Sequence, residues 1–298
     1  MEEAMEKAAV LIEALPYIQG FKGRDIVVKF GGSAMAEEKV MDEVLQDIVF
    51  LATVGIKPII VHGGGKHISR AMEEAGLEAQ FVTGHRVTDQ DTLDIAVRVL
   101  GEEINAQIAR RIRSLGAEPI RGFCENQSVL RAKKKLLTVD GKDGQHGEVD
   151  VGFVGEIQKI DTERIRTMEQ EGDIVILPPI GQDDTGQLYN VNADSAAAAL
   201  ACGMNAEKIV FLSDVHGIMG EPGNRNTFLS TVNKTKVDNL IRDGIIQGGM
   251  RPKVRACLRA IEGGVSKAHI IDANLNHSLL LEIFTDEGVG TQIVDGSG

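Results

Sequence analysis

Positive charge is in short supply in this 298-residue chain. The 32 lysines and arginines face 44 aspartates and glutamates, for a formal net charge of -12. Phosphate backbones are bound through basic surface, so that balance argues against a nucleic-acid partner. A few cations gathered in a cleft can still outweigh the global field, which leaves room for a small anionic substrate. Cysteine is equally sparse. Cys124, Cys202 and Cys257 lie far apart and form no CxxC pair, which excludes a disulfide scaffold or thiolate metal site and points to a reducing compartment. No HExxH or similar cluster exists to hold zinc. Long apolar runs are missing too: the opening MEEAMEKAAVLIEAL is acidic and too short in apolar content for a signal peptide or a membrane span. These absences predict a cytoplasmic globular protein with no membrane or nucleic-acid partner.

Two familiar nucleotide fingerprints are also absent. Gly63-Gly64-Gly65-Lys66-His67 has no leading P-loop glycine and carries His67 where a magnesium-ligating Ser or Thr belongs. The third glycine of a dinucleotide fingerprint is missing as well. No internal repeat or low-complexity tract appears.

What is present is an alternation of strands and helices, with 43% hydrophobic residues to build a core. Ala8, Leu11, Ile12 and Leu15 follow helical spacing, and Pro16 is expected to hinder continuation. DIVVKF (25–30) and KPIIVH (57–62) read as buried strands, each opening into glycines and then a helix, the signature of parallel βαβ units. Residues 91–115 read as a long helix, and the stretch around GKDGQHGEVD as a hairpin. The triple lysine 133–135 reads as a solvated face. DIVILPPIG (173–181), KIVFLSDVHGI (208–218) and AHIIDA (268–273) add further strands, with a change of role near Gly181.

The chemistry must then rest on a distributed set of residues. Lys29 ends the first strand beside Gly31 and Gly32, and ligands of open α/β sheets sit beyond such strand ends. Glycines there let amide N–H groups approach an oxyanion, with the next helix N-terminus adding positive dipole. His62 to Gly65 repeats the arrangement one strand later, so both turns are expected to face one crevice. Arg86, in GHRVT, offers a fork suited to a carboxylate; standing alone it would read as a surface arginine. Asn190, Asn192 and Asp194 make a dense polar cluster before an alanine-rich helix, of which capping by Asp194 explains one member. Lys253 follows Gly248-Gly249-Met250-Arg251-Pro252 into a helix, where the dipole disfavours a cation. That placement implies an anionic ligand or a partner such as Asp194.

In order, VKFGGSAM, VHGGG, GHRVT, YNVNAD, FLSDVHGI and GGMRPK resemble the amino acid kinase family, over about Leu11 to Val294, and within it the branch acting on N-acetyl-L-glutamate. The resemblance implies an α/β fold, a three-layer αβα sandwich with a mainly parallel open sheet and two lobes. Residues 1–20 would form an oligomerisation helix, 21–180 an acceptor-binding lobe and 181–298 an ATP-binding lobe. Lys29 and Lys253 would stabilise the phosphoryl group in transit, with Asp194 holding both. Gly31, Gly32, Gly64 and Gly65 would supply backbone donors to phosphate and acceptor. Arg86 would bind an acceptor carboxylate, with Asn190 and Asn192 near it. Ser213, Asp214 and Gly217 would lie at the nucleotide loop. ATP with Mg2+ is the implied cosubstrate, and direct in-line transfer the implied mechanism.

The N-terminal helix and the stretch HIID…LLLEIFTDEGVGT resemble the arginine-inhibited, hexameric branch. It implies a dimer-based homo-oligomer, an L-arginine effector site at His269, Glu282 and Gly288, and a PII-type regulator as a further partner. Residues 272–277 read DANLNH where the family more often carries a D-G-R-type turn, and Arg251 stands where an apolar residue is usual. Two other readings compete: a sister kinase for glutamate or an aminoadipate-type acceptor, and a catalytically silent regulatory subunit. Intact Lys29, Asp194 and Lys253 argue against the second.

Overall fold

The computed structural model describes residues 2–35, 37–124, 127–140, 146–285 and 288–296. The chain runs from helix α1 (Glu2–Phe21) into strand β1 (Asp25–Phe30), α2 (Glu38–Thr53), β2 (Lys57–His62) and α3 (Gly65–Glu74). Helix α4 (Gln90–Val97), a π-helical segment (Arg98–Ile104) and α5 (Asn105–Ser114) then follow without a break. Next come β3 (Pro119–Arg121), β4 (Leu130–Asp140), β5 (His146–Ile160), α6 (Thr162–Glu171), β6 (Ile174–Leu177), β7 (Ile180–Gln182), β8 (Leu188–Val191), α7 (Ala193–Met204) and β9 (Lys208–Ser213). Strand β10 (Thr231–Asn233), α8 (Lys234–Arg242), α9 (Met250–Glu262), β11 (Lys267–Asp272), α10 (Ser278–Phe284) and β12 (Thr291–Val294) complete the main elements.

One eight-stranded sheet spans the molecule in the order β10-β12-β11-β9-β1-β2-β6-β3. Its pairs are parallel except β11 with β12. Strand β1 lies at the centre and is buried along its whole length, as a strand covered on both faces must be. Successive side chains of a strand point to opposite faces. Ile26, Val28 and Phe30 accordingly join the core formed with α2 and α5, while Val27 joins the core formed with α7 and α9. This is the αβα sandwich that the family resemblance implies, built from the parallel βαβ units of the alternating pattern. A closed four-stranded barrel of β7, β8, β5 and β4 stands beside it. The expected hairpin is β4 with β5; residues 141–145 at its tip lie outside the described residues.

Helix α1 differs from expectation. Pro16 lies inside it, and the helix continues to Phe21. Ala14, Tyr17, Ile18 and Phe21 pack on the core, and this tertiary burial holds the last turn despite the proline. The buried stripe is therefore shifted along the helix, and Leu11, Ile12 and Leu15 are 65%, 68% and 42% exposed. Lys135 also departs from the solvated face assigned to residues 133–135: it is half-buried, with its ammonium 3.2 Å from His85 Nε2.

Candidate functional site

Strand alternation places Lys29 on the same face as Val27, towards α7 and α9. Asp194 sits in the first turn of α7 and Lys253 in the first turn of α9. The three meet: Lys29 Nζ is 2.9 Å from Asp194 Oδ1, and Lys253 Nζ is 3.7 Å from Oδ2. All three are buried. Burial alone would raise the Asp194 pKa, but the two ammonium groups outweigh it and hold the carboxylate below its ordinary range. Burial pushes the Lys253 pKa down, Lys29 adds to that, and Asp194 and Asp214 oppose it. Lys253 tolerates the unfavourable end of the α9 dipole because Asp194 faces it. Asp194 is not the cap of α7. Asn192 is, accepting from Ser195 N at 2.9 Å, which frees Asp194 for the lysines.

The two glycine turns pack against each other at the ends of β1 and β2. Gly63 N donates to Phe30 O at 2.7 Å, and a Cβ on Gly31 would meet Gly63 Cα at 3.3 Å. A Cβ on Gly64 would sit 2.5 Å from Leu100 and 2.7 Å from Ile104, both on the π-helical segment, so any larger residue there must displace those side-chain ends. Beside these turns lies a cavity of 230 Å³, lined by Lys29, Gly64, Gly65, Arg86, Asn190 and Asn192 among others. Gly32 lines it as well, while Gly31 lies behind against Lys29 Nζ.

Arg86 is no surface arginine: it is buried, and donates to Gly65 O at 2.9 Å and Ser69 Oγ at 2.8 Å. Its guanidinium stacks 4.8 Å from the centre of the Phe81 ring. The β4–β5 hairpin is stitched to this segment. Thr88 N donates to Val151 O at 2.9 Å, and Phe153 N to Thr88 O at 2.6 Å. Gly152 has φ +82, and a Cβ there would lie 2.1 Å from Thr88 O, so the stitch requires glycine. It brings Val154 into the cavity wall. Asn190 donates to Thr88 Oγ1 at 3.3 Å and is thereby turned towards the same wall.

Ser213 and Asp214 stand at the end of β9, the strand on the other side of β1 from β2, with Ser213 buried and Asp214 exposed. Gly217 follows, packed against Thr291. His269, Glu282 and Gly288 do converge, around a separate cavity of 380 Å³ also lined by Lys208 and Lys267. Glu282 is buried, contacts His269 Nδ1 through one oxygen and accepts the Val289 and Gly290 amides through the other. His269 Nε2 is buried without a hydrogen-bond partner among the described residues. Lys208 of this cavity lies over the Phe21 ring at the end of α1.

Sequence reasoning missed a polar group behind the second glycine turn. His62 is fully buried; its Nδ1 lies 3.0 Å from Gly63 O and its Nε2 3.2 Å from Asn105 Nδ2. Asn105 in turn accepts from Arg121 Nε at 2.8 Å. The VHGGG motif contained His62, but its partners are far away in sequence and carried no signal. Phe81 and His85 in the cavity wall were missed for the same reason. Burial lowers the His62 pKa from 6.5 to about 4. The folded-state value lies below the unfolded one, so stability is fully present above pH 6.5 and declines as pH falls through 4. One pKa unit is about 1.4 kcal/mol, so this histidine accounts for about 3 kcal/mol of acid destabilisation. Denaturant unfolding at pH 7 and pH 4 should show that His62→Asn loses markedly less stability on acidification than the parent protein. Equal losses would show that His62 is not the titrating group.

Residues 25–272 match the model of the amino acid kinase family. The chain belongs to the amino acid kinase family. Similar proteins within it include the acetylglutamate kinase of Symbiobacterium thermophilum, 44% identical over 98% of this chain and 99% of that protein. The acetylglutamate kinase of Methanocaldococcus jannaschii is 43% identical over 98% of each. Among solved structures, N-acetylglutamate synthase from Neisseria gonorrhoeae complexed with coenzyme A and N-acetyl-glutamate superimposes with a TM-score of 0.83 at 27% identity. That match covers 98% of this chain and 64% of the synthase, so the kinase-family fold is one portion of a longer protein there. The same synthase complexed with coenzyme A and L-arginine gives a TM-score of 0.76 at 28% identity, covering 96% of this chain and 65% of the other. No helix among the described residues of this family member is long and apolar enough to cross a membrane.

Proposed function

We propose that the protein transfers the γ-phosphoryl group of ATP to the side-chain carboxylate of N-acetyl-L-glutamate, forming N-acetylglutamyl 5-phosphate in arginine biosynthesis. The observation that carries this reading is the convergence of Lys29 and Lys253 on Asp194 beside a cavity holding the buried fork of Arg86. Full-length similarity to acetylglutamate kinases supports it. A carboxylate oxygen of the acceptor attacks the γ-phosphorus, the bond to the β–γ bridging oxygen breaks, and ADP departs with that electron pair. The acceptor is already ionised at neutral pH, so no general base is needed. What must be supplied is alignment and neutralisation of charge. Lys29 and Lys253 are assigned to the equatorial phosphoryl oxygens and Asp194 to holding them. The amides of Gly31, Gly32, Gly64 and Gly65 are assigned as donors, and Arg86, Asn190 and Asn192 to the acceptor. Ser213, Asp214 and Gly217 are assigned to the nucleotide, and Mg2+ enters as part of the MgATP substrate. Residues 21–180 then act as the acceptor lobe and 181–298 as the ATP lobe.

The cavity at His269, Glu282 and Gly288 favours a second assignment, an L-arginine effector site. Lys208 and Lys267 suit an amino-acid carboxylate, and Glu282 suits a guanidinium. Acyl phosphate trapped with hydroxylamine measures both assignments at once. N-acetylglutamate should give strong turnover, glutamate and N-acetylaminoadipate little, and arginine should suppress it; repeating the assay with a PII-type protein tests that partner. No turnover with any acceptor would favour the silent regulatory subunit. Strong turnover with another acceptor would favour a sister kinase. The exposed apolar residues of α1 support its role in a dimer-based assembly. Deleting residues 1–16 should reduce the mass in light scattering to that of a dimer, and an unchanged mass would remove α1 from the interface.

A further inference from the structure

Backbone donors assist a reaction only if they point at the charge, and peptide planarity ties each N–H to the carbonyl before it. The chain has no cis peptide bond among its described residues, so the Gly64 N–H points opposite to the Gly63 C=O. The Gly63 carbonyl lies 3.0 Å from Nδ1 of His62, a ring with no exposed surface. The carbonyl thus faces the packed interior. The Gly64 N–H is directed away from it, on the side where Gly64 lines the acceptor cavity.

The direction of each hydrogen bond behind this contact is set from its far end. Arg121 has only donors. Its Nε donates to Asn105 Oδ1 at 2.8 Å, which fixes the orientation of the Asn105 amide. Asn105 Nδ2 must then be the donor to His62 Nε2 at 3.2 Å. A neutral ring accepting at Nε2 carries its proton on Nδ1, where it donates to Gly63 O. Arg121 is itself tied to the π-helical segment through Gly101 O and Glu102 Oε2. That segment also presents Leu100 and Ile104 to Gly64. Polar relay and apolar wall therefore press on the same peptide from two sides.

We propose that Arg121, Asn105 and His62 form a one-way donor relay that aims the Gly64 amide at the reacting oxyanion, which makes all three positioning residues. The link to catalysis rests on the kinase reading above; the polarity of the relay does not. Ordinary satisfaction of buried polar groups would affect folding alone. The relay predicts an effect on kcat as well, with a defined dependence on which ring nitrogen is replaced.

Two measurements decide it. Long-range 1H–15N NMR of the full-length protein at pH 7 should find His62 neutral and protonated on Nδ1. A proton on Nε2 overturns the proposal whatever the activity. In steady-state kinetics, His62→Asn keeps an amide donor near the Nδ1 position and should retain kcat within a few-fold. His62→Gln reaches the Nε2 position instead and should lose roughly 10-fold or more, since a misaimed oxyanion donor forfeits part of the 10²–10³ that a deleted one costs. KM for ATP should stay unchanged in both. Asn105→Leu, which removes the donor to Nε2, should give a mixed tautomer and an intermediate kcat. Wild-type kcat in folded His62→Gln overturns the relay. If the parent protein phosphorylates no acceptor, the kinase reading fails, and the tautomer measurement still settles the polarity.

Discussion

Lys29→Ala is expected to lower kcat by roughly 10²-fold or more, by analogy with removal of one oxyanion donor, and Lys253→Ala to do the same. Both ammonium groups stand in a buried setting, where charge acts far more strongly than in water. In the proposed reaction, charge shifts within the phosphoryl group as it crosses from one anion to another, and Lys29 and Lys253, both paired with Asp194, are the buried cations assigned to meet it. In that role their contribution would grow towards the transition state, so the loss should appear in kcat more than in KM for ATP. The two variants should differ in stability. Losing Lys29 leaves Asp194 with only the longer contact of 3.7 Å to Lys253, whereas losing Lys253 keeps the 2.9 Å pair. A carboxylate left without close compensation in the interior is costly, so Lys29→Ala should also have the lower melting temperature. A near-normal kcat in either folded variant would remove that lysine from the mechanism.

Arg86→Ala is expected to raise KM for the acceptor by roughly 10²-fold, because truncating one partner of a buried charge pair costs about 2–5 kcal/mol. KM for ATP should change little. Arg86 is held before any substrate arrives: Gly65 O and Ser69 Oγ take one guanidinium nitrogen, and Phe81 covers one face. Such a fixed fork spends little conformational freedom on binding a planar carboxylate. Arg86→Lys should therefore fail almost as badly as alanine, since a single ammonium on a flexible stem cannot reproduce the fork. Unchanged acceptor KM in Arg86→Ala would reduce Arg86 to a brace for α3.

Much of the architecture was legible because its signals are local. DIVVKF and KPIIVH are the strands they resemble, each followed by glycines and a helix, and the π-containing rod begins within a residue of the expected helix. The sandwich follows from that alternation, since amphipathic helices between apolar strands can cover a parallel sheet only from its two faces. The glycine turns, Arg86 and the Asn190–Asp194 cluster stood out by composition, and the structure brings Gly32, Gly64, Gly65, Arg86, Asn190 and Asn192 to one cavity with Lys29, which pairs with Asp194.

Other features needed the assembled chain. Helical spacing identified an apolar stripe on α1 whose Leu11, Ile12 and Leu15 stay exposed, while Ala14, Tyr17, Ile18 and Phe21 pack on the core, a partition that propensity does not encode. Composition offered Asp194 as the cap of α7; geometry assigns the cap to Asn192 and the lysines to Asp194. The relay through Arg121, Asn105 and His62 has no sequence signature, since its members come from three separate elements.

The sequence by itself determined the alternating elements, the glycine turns at the strand ends and the identity of the charged groups, since each depends on residues within a few positions of one another. Only the tertiary structure decided which charges are buried together, which asparagine caps and which way the Gly64 peptide faces. Those outcomes depend on burial and on partners far apart in the chain, as when Asp194 meets both Lys29 and Lys253, and no local pattern carries that information.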